Sequence, residues 1–147
     1  MIPRDELPAK LHAEIKKHSK AGEKFFSAGN YTDALAEYTK AWKLIPDPPE
    51  HWNASTWVLT AIGDCYFMGR RYDLALDAFN EAVQCPGGLG NPFIHLRLGQ
   101  CQFELGKLDR AADELIRAYA IEGNKIFRND DKKYLAFLAT RADDIEA

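Results

Sequence analysis

The chain has 147 residues, a hydrophobic content of 46% and a formal net charge of -3, which suit one domain with a buried core. This charge supplies no basic field for nucleic acid or for an anionic membrane. The first residues lack the apolar core of a signal peptide, and no apolar run is long enough to span a bilayer. The composition therefore predicts a cytoplasmic protein that binds neither nucleic acid nor membrane.

The N-terminal part of the chain carries apolar residues at a spacing of four. Leu7, Leu11 and Ile15 continue toward the first aromatic residues, which predicts a helix from about Pro8 to Ala28. The solvent side of this helix carries five lysines, namely Lys10, Lys16, Lys17, Lys20 and Lys24. They either meet an acidic partner or form an ordinary solvated face.

A second helix and a proline-rich connection follow. The helix is predicted over residues 34–44, with Thr32 and Asp33 as candidate N-caps. Three prolines within residues 46–49 end it. Trp52 lies in the connection and either covers the core or meets a partner; we expect it to cover the core.

One frame of small and aromatic residues occurs three times along the chain. The small residues stand where the axes of two helices must approach closely. The frame consists of Gly22, Phe25, Tyr31, Ala34, Tyr38 and Ala41, then Gly63, Tyr66, Tyr72, Ala75, Phe79 and Ala82, then Gly99, Leu108, Ala111, Leu115 and Ala118. Three helical hairpins at this period predict a repeat array, whose second member begins at Ser55 or Thr56.

This frame resembles the tetratricopeptide repeat family over residues 15–125. The resemblance is carried by the glycine with an aromatic residue three positions later, the turn Gly29-Asn30-Tyr31, the alanines seven apart and the closing proline. It implies an all-α solenoid of helical hairpins, with an extended N-terminal helix and a C-terminal capping helix. The expected ranges are repeats at about 15–48, 56–89 and 92–125 and a capping helix at about 130–146, in a single domain over 1–147.

The third repeat and the C-terminal segment follow a glycine-rich connection at residues 86–92. The connection predicts an inter-repeat turn and not a phosphate cradle, because no strand precedes it and no Lys-Ser/Thr pair follows. Asp109 is the predicted N-cap of the second helix of this repeat. A last amphipathic helix, expected as a lid over the bare end of the array, carries Tyr134, Leu135, Phe137, Leu138 and Ile145, and Asp143, Asp144 and Glu146 keep its end in water.

Three cysteines, Cys65, Cys85 and Cys101, lie within predicted helices. We predict buried free thiols, since an odd number spread through helices is not a disulfide framework. A metal site formed by Cys65, Cys101 and His95 is the alternative, and no Cys-x-x-Cys or His-x-x-x-His spacing supports it. The sequence also contains no catalytic motif, so we predict a non-enzymatic protein without a metal or cofactor.

A stripe on the first helix of each repeat is the predicted binding surface. Positions six and three before the central glycine, and one and four after it, lie on one face. In the tetratricopeptide family this stripe resembles the wall of the concave groove that holds a peptide or a partner's helix. The predicted partner-binding residues are Glu23 and Phe26 in the first repeat, Trp57, Thr60, Asp64 and Phe67 in the second, and Phe93, Leu96, Arg97, Gln100 and Phe103 in the third.

Aromatic rings recur in register along this stripe. Five stacked rings form an apolar patch, and full burial of such a ring contributes about 1.5–3 kcal/mol. The alternative is that the rings pack against the second helix of the adjacent repeat or against the C-terminal helix.

The carboxylate clamp with which some repeat proteins hold the C-terminal tails of heat-shock chaperones is not predicted. That clamp uses lysine, asparagine and arginine on the same groove. Here the matching positions hold Ser19, Glu23, Ala61, Phe93 and Arg97. Only Arg97 fits, and Glu23 would repel a carboxylate.

Three classes of function remain open. The C-terminal third, within residues 90–138, resembles small tetratricopeptide proteins encoded beside Rhs-type polymorphic toxins. This resemblance implies a bacterial immunity protein that occludes a basic toxin domain. The alternative is a cytoplasmic secretion chaperone or scaffold that holds an apolar segment of a secreted substrate. An enzyme would use Glu23, Asp64 and His95, whose spacing gives it no support, and no small-molecule substrate is evident.

Overall fold

The computed structural model describes residues 7–143 and residue 145. This part of the chain is helical and contains no strand, which confirms the all-α prediction. The seven α-helices are α1 (Ala9–Ser27), α2 (Tyr31–Leu44), α3 (Asn53–Met68), α4 (Tyr72–Val83), α5 (Pro92–Glu104), α6 (Leu108–Glu122) and α7 (Lys132–Ala139), with 3₁₀ turns at Pro49–His51 and Gly123–Phe127. Within the same residues, no helix combines the length and the apolar character that a membrane span requires.

The chain forms two compact units, Met1–Leu89 and Gly90–Ala147. The first unit contains the hairpins α1–α2 and α3–α4, and α2 packs against α3. The second unit contains the hairpin α5–α6, followed by the second 3₁₀ turn and α7. The core of the first unit draws on both of its hairpins, including Ile15, Tyr38, Ala41, Val58, Ile62 and Cys65.

Each hairpin depends on one glycine in its first helix. A Cβ on Gly63 would lie 2.7 Å from Cζ of Phe79, a ring that is fully buried. A Cβ on Gly22 would lie 2.6 Å from Cε1 of Tyr38, and one on Gly99 would lie 2.6 Å from Cγ of Leu115. The predicted close approach of the helix axes is therefore confirmed, because the partner's side chain occupies the space that a methyl group would need.

The predicted N-caps are wrong in both the first and the third repeat. Asn30 caps α2, and its Oδ1 accepts a hydrogen bond from the backbone N–H of Asp33 at 3.3 Å. Thr32 and Asp33 instead lie in the first turn, because Gly29 at φ 79° turns the chain and starts the helix earlier. Asp109 likewise lies in the first turn of α6, where its charge favours the helix dipole without capping it.

The proline-rich connection folds back on the first unit. Trp52 is only 8% exposed, and its indole Nε1 donates to the carbonyl of Pro46 at 2.9 Å. This confirms that Trp52 covers the core. Ser55, which is fully buried, donates from its hydroxyl to the carbonyl of Pro49. The 3₁₀ turn places the start of α3 at Asn53, slightly before the predicted Ser55 or Thr56.

The C-terminal helix is shorter than predicted. It covers Lys132–Ala139, and Asp131 caps it by accepting from the backbone N–H of Lys133 at 2.9 Å. Asp143 is exposed beyond its end, whereas Asp144 and Glu146 lie outside the described residues. Tyr134 and Leu138 are buried, at 4% and 0% exposure.

All three cysteines are buried and free, as predicted. Burial raises the pKa of the Cys65 thiol to about 12, and the negative charge of Asp64 adds to the effect. Burial also raises the pKa of Cys85 to about 11, with contributions from Glu50 and Glu81. These thiols therefore resist ionisation in the folded protein.

The raised thiol pKa values predict a loss of stability at alkaline pH. In the unfolded chain these thiols ionise near pH 9.0, whereas in the folded protein they stay protonated to about 12 and 11. The free energy of unfolding should therefore fall above pH 9, by at most about 1.4 kcal/mol per pH unit for each thiol. Urea unfolding across this range should show a shallower fall for Cys65→Ala than for wild type, and identical slopes would contradict the assignment.

The glycine contact predicts the cost of a single methyl group. Gly63→Ala forces the Cβ into the ring of Phe79. We expect a loss of about 1–2 kcal/mol in the free energy of unfolding, because overpacking outweighs the better helix propensity of alanine. Urea unfolding measures this value. In a Phe79→Leu background the same alanine should cost less, and an equal cost in both backgrounds would rule out the proposed clash.

Candidate partner-binding surface

The stripe in the first unit presents three partly exposed aromatic rings. Phe26 is half-buried and packs edge-on against Tyr31, with ring centroids 5.0 Å apart. Phe67 is half-buried and packs in the same way against Tyr72 at 5.5 Å. Trp57 remains 37% exposed. The turn tyrosine of each hairpin therefore fixes one ring of the stripe while leaving part of it open to solvent.

Two carboxylates of the stripe converge on one phenol. Tyr38 is 5% exposed, and burial is the main reason that its pKa rises to about 12. The Cys65 thiolate, where it forms, and the negative charges of Glu23 and Asp64 raise it further. Glu23 on α1 and Asp64 on α3 thus act on the same group, so the stripes of the first two repeats lie side by side in the first unit.

The hydroxyl groups of this stripe differ in their hydrogen bonding. Thr60 donates from its hydroxyl to the carbonyl of Thr56 at 2.7 Å, within its own helix. Ser19 occupies the matching position in the first repeat and is 8% exposed. Its Oγ has no hydrogen-bond partner in the part of the chain that the structure describes. A buried hydroxyl of this kind is costly to leave unpaired.

One ring of the stripe in the second unit packs against the C-terminal helix, and it is half-buried, as Phe26 and Phe67 are. Phe103 packs against two rings of α7, with centroid distances of 5.5 Å to Tyr134 and 5.0 Å to Phe137. The third hairpin carries Leu108 where the other two carry a turn tyrosine. Tyr134 therefore takes the edge-on place at Phe103 that Tyr31 holds in the first repeat. For this ring, packing against the C-terminal helix is the arrangement observed.

Arg97 is held within the second unit. Its guanidinium donates to Oε1 of Gln100 at 2.7 Å and to Oδ1 of Asp130 at 3.0 Å, and it lies 4.8 Å from the ring centre of Phe93. The side chains of Arg97 and Asp130 are 12% and 18% exposed. Arg97, the only residue that fits the carboxylate clamp, is thus paired with the carboxylate of Asp130 in the same unit.

Leu96 and Gln100 lie at the base of this stripe, not at its surface. They are 1% and 0% exposed, respectively. Gln100 accepts from Arg97 through Oε1, while its Nε2 has no partner among the described residues. A partner that met the second unit as it stands would reach Phe93 at the edge but neither of these two side chains.

A buried histidine links the start of the second unit to α6. His95 is 3% exposed, accepts from the backbone N–H of Gly90 through Nε2 at 2.9 Å, and lies 2.7 Å from Oε2 of Glu114 through Nδ1. Both ring nitrogens are therefore engaged. Among the described residues, no group of His, Cys, Asp and Glu is arranged to hold a metal ion.

Sequence reasoning missed this pairing, although a signal for it exists. His18 lies 3.4 Å from Glu37 at the same repeat positions and the same separation of 19 residues as His95 and Glu114. The middle repeat has Leu59 and Ala78 at those positions, and both are buried. Comparing the repeats position by position reveals a polar pair in the first and last hairpins and an apolar pair in the middle one.

The helical hairpins and the ring-lined stripe define a helical-repeat protein of the protein-binding class. A model of the tetratricopeptide repeat matches residues 20–88 and 91–125, which is well over half of the chain. The chain belongs to the tetratricopeptide repeat family and is a protein-binding module of that family. The family's repeats are interaction scaffolds whose extended surfaces bind other chains.

Solved structures of the same fold cover most of the chain. The first tetratricopeptide domain of human RPAP3 is 25% identical, with a TM-score of 0.67, over 87% of this chain and 94% of that one. The Sgt2 domain from Aspergillus fumigatus is 18% identical, with a TM-score of 0.62, over 93% and 79%. PcrH, solved in complex with the chaperone binding region of PopB, is 17% identical, with a TM-score of 0.63, over 92% and 95%.

The ion pair at Asp130 predicts how α7 is held. Asp130→Asn removes the charge that pairs with the mostly buried Arg97, and we expect the amides of α7 to lose about 1–2 kcal/mol of protection against hydrogen exchange. Asp109→Asn is the matched control, because the Asp109 side chain is 97% exposed in its pair with Arg141. Equal protection of α7 in the two variants would contradict this account.

Proposed function

We propose that the stripe of the first unit binds an apolar segment of another protein, and that the protein is a bacterial immunity protein that neutralises a cognate toxin by occluding it. The observation that carries the binding proposal is the row of partly exposed rings, Phe26, Trp57 and Phe67, two of them held in place by turn tyrosines. Rings fixed before binding lose little conformational entropy when a partner covers them.

The free energies that these side chains can contribute to binding suit a short docking segment. Full burial of an aromatic side chain contributes about 1.5–3 kcal/mol, and these rings are already partly buried, so each one gains less than that. The Oγ of Ser19 is buried, so the contribution of the first repeat comes from the ring of Phe26. These contributions together support a segment that also makes contacts elsewhere, as a toxin domain or an extended substrate would.

The charges beside the rings favour a basic partner. Glu23 is exposed and Asp64 is half-buried, so two carboxylates flank the apolar surface. A toxin domain with a basic active-site face complements this surface. Solved tetratricopeptide domains of RPAP3 are bound to HSP90 and HSP70 peptides. We do not propose that mode here, because Glu23 repels a terminal carboxylate and Arg97 is already paired with Asp130.

A secretion chaperone or scaffold is the second candidate. It is favoured by the partly open stripe of the first unit, which also suits an extended apolar segment of a secreted protein. The solved complex of PcrH with the chaperone binding region of PopB has the same fold. In this function the partner would be kept soluble and its activity would not be blocked.

The immunity proposal predicts a toxin gene beside the gene of this protein, and co-expression of the two tests it. Wild type should restore growth of cells that produce the toxin and should bind the purified toxin domain. Trp57→Ala with Phe67→Ala should lose both rescue and binding, because two rings of the stripe are removed. Met68→Ala with Leu89→Ala is the matched control, since these apolar side chains are 43% and 75% exposed and lie off the stripe.

Circular dichroism of each variant separates lost binding from lost folding. Rescue by the folded Trp57→Ala, Phe67→Ala protein would refute binding through the stripe. A toxin that stays active in the presence of wild type would refute the immunity function. Solubility of a co-expressed secreted protein that depends on the same two rings would support the chaperone function instead.

A further inference from the structure

Five lysines form a continuous face on α1, which we call the lysine face. At 100° per residue, Lys10, Lys16, Lys17, Lys20 and Lys24 fall within an arc of about 120° on this helix. All five are exposed. Lys10 and Lys24 are about 21 Å apart at 1.5 Å per residue. Glu14 and Glu23 lie at the two borders of this arc, outside it, so the face carries a single sign of charge.

The lysine face has no carboxylate partners in the part of the chain that the structure describes. None of its five ammonium groups forms an ion pair there. Lysines elsewhere do pair with glutamates, as Lys40 does with Glu37, Lys125 with Glu122 and Lys133 with Glu104. Without the five, the chain would have 14 Lys and Arg against 22 Asp and Glu. The face is therefore a local positive field on an acidic protein.

Aligning the three repeats shows which residues stand at the positions of these lysines in the second and third repeats. Lys17 stands at the position of Val58 and Ile94 in the other two repeats, and both of those side chains are 0% exposed. Lys24 stands at the position of Cys65 and Cys101, which are 4% and 0% exposed. Val58 and Cys65 belong to the core of the first unit. On α1, lysines thus occupy positions that hold apolar, buried side chains on α3 and α5.

A terminal repeat needs a polar outer face for solubility, but that need does not explain a single sign of charge. Mixed acidic and basic residues would serve equally and would avoid self-repulsion. Like charges at i, i+4 and i, i+7 on one helix repel one another and give no stability in return. The arrangement suits a surface that attracts an opposite charge.

We infer that the lysine face binds an acidic polypeptide segment of a partner protein. Nucleic acid fits less well, because the face interleaves only Ala9, Ala13 and Ser27 with its lysines and offers no ring on which a base would stack. A membrane surface also fits less well, since an interfacial helix needs a free apolar face and the apolar side of α1 is packed into the core. The inference does not depend on the proposed function, because four of the five lysines lie outside the stripe and only Lys16, six positions before Gly22, belongs to both.

Fluorescence anisotropy with a labelled glutamate-rich peptide tests the inference on the full chain. Lys10→Gln, Lys17→Gln and Lys24→Gln together should raise Kd about tenfold at low salt. The same three positions changed to arginine should retain binding, since the charge is kept. The control is Lys43→Gln, Lys107→Gln and Lys132→Gln, which removes the same charge from exposed lysines elsewhere and should change Kd less than twofold.

Double-stranded DNA and phosphatidylserine vesicles are the competing probes. Tighter binding of either probe than of the peptide would overturn the inference. An equal loss of peptide affinity in the lysine-face variant and the control would also overturn it, and so would a wild type that does not bind the peptide. The Trp57→Ala, Phe67→Ala variant should bind the acidic peptide as wild type does. Failure of the ring-lined stripe and failure of the lysine face are thereby distinguishable.

Discussion

The contact between a glycine in one helix and a large side chain in the next sets the geometry on which the candidate binding surface depends. At Gly22, Gly63 and Gly99 a Cβ would lie within 2.6–2.7 Å of Tyr38, Phe79 or Leu115. The two helices of each hairpin approach until that side chain rests on bare backbone. This close approach fixes the rotation of each first helix, and so decides which of its faces is open to solvent.

A single position then decides which ring supports the stripe phenylalanine of each hairpin. Tyr31 and Tyr72 support the stripe phenylalanines of the first unit from the turn, and leave part of each ring exposed. The third hairpin has Leu108 there, and α7 supplies Tyr134 and Phe137 to Phe103 instead. The ion pair between Arg97 and Asp130 completes the attachment of α7. The same repeat frame thus places the stripe phenylalanine against a turn tyrosine in the first unit and against α7 in the second.

Two faces of α1 carry different chemistry. Ser19, Glu23 and Phe26 continue the stripe, whereas Lys17 and Lys24 take positions that are apolar and buried in the other repeats. An apolar segment and an acidic segment would therefore meet different sides of one helix. Lys16 lies where the two faces meet, so contacts at one face would be felt electrostatically at the other.

The sequence determined the helices, the hairpins, the close-packed glycines, the buried thiols and the burial of Trp52, because these follow from local spacing and from a frame repeated three times. It misplaced the caps at Thr32, Asp33 and Asp109, since the Gly-x-Tyr turn starts the helix earlier than its polar residues suggest. Only the tertiary structure decided which stripe residues are accessible. Leu96 and Gln100 occupy stripe positions in the sequence yet are buried. The ring of Tyr134 that packs on Phe103 comes from a segment about 30 residues away along the chain. Helical periodicity describes the faces of one helix without indicating which distant side chain packs on them.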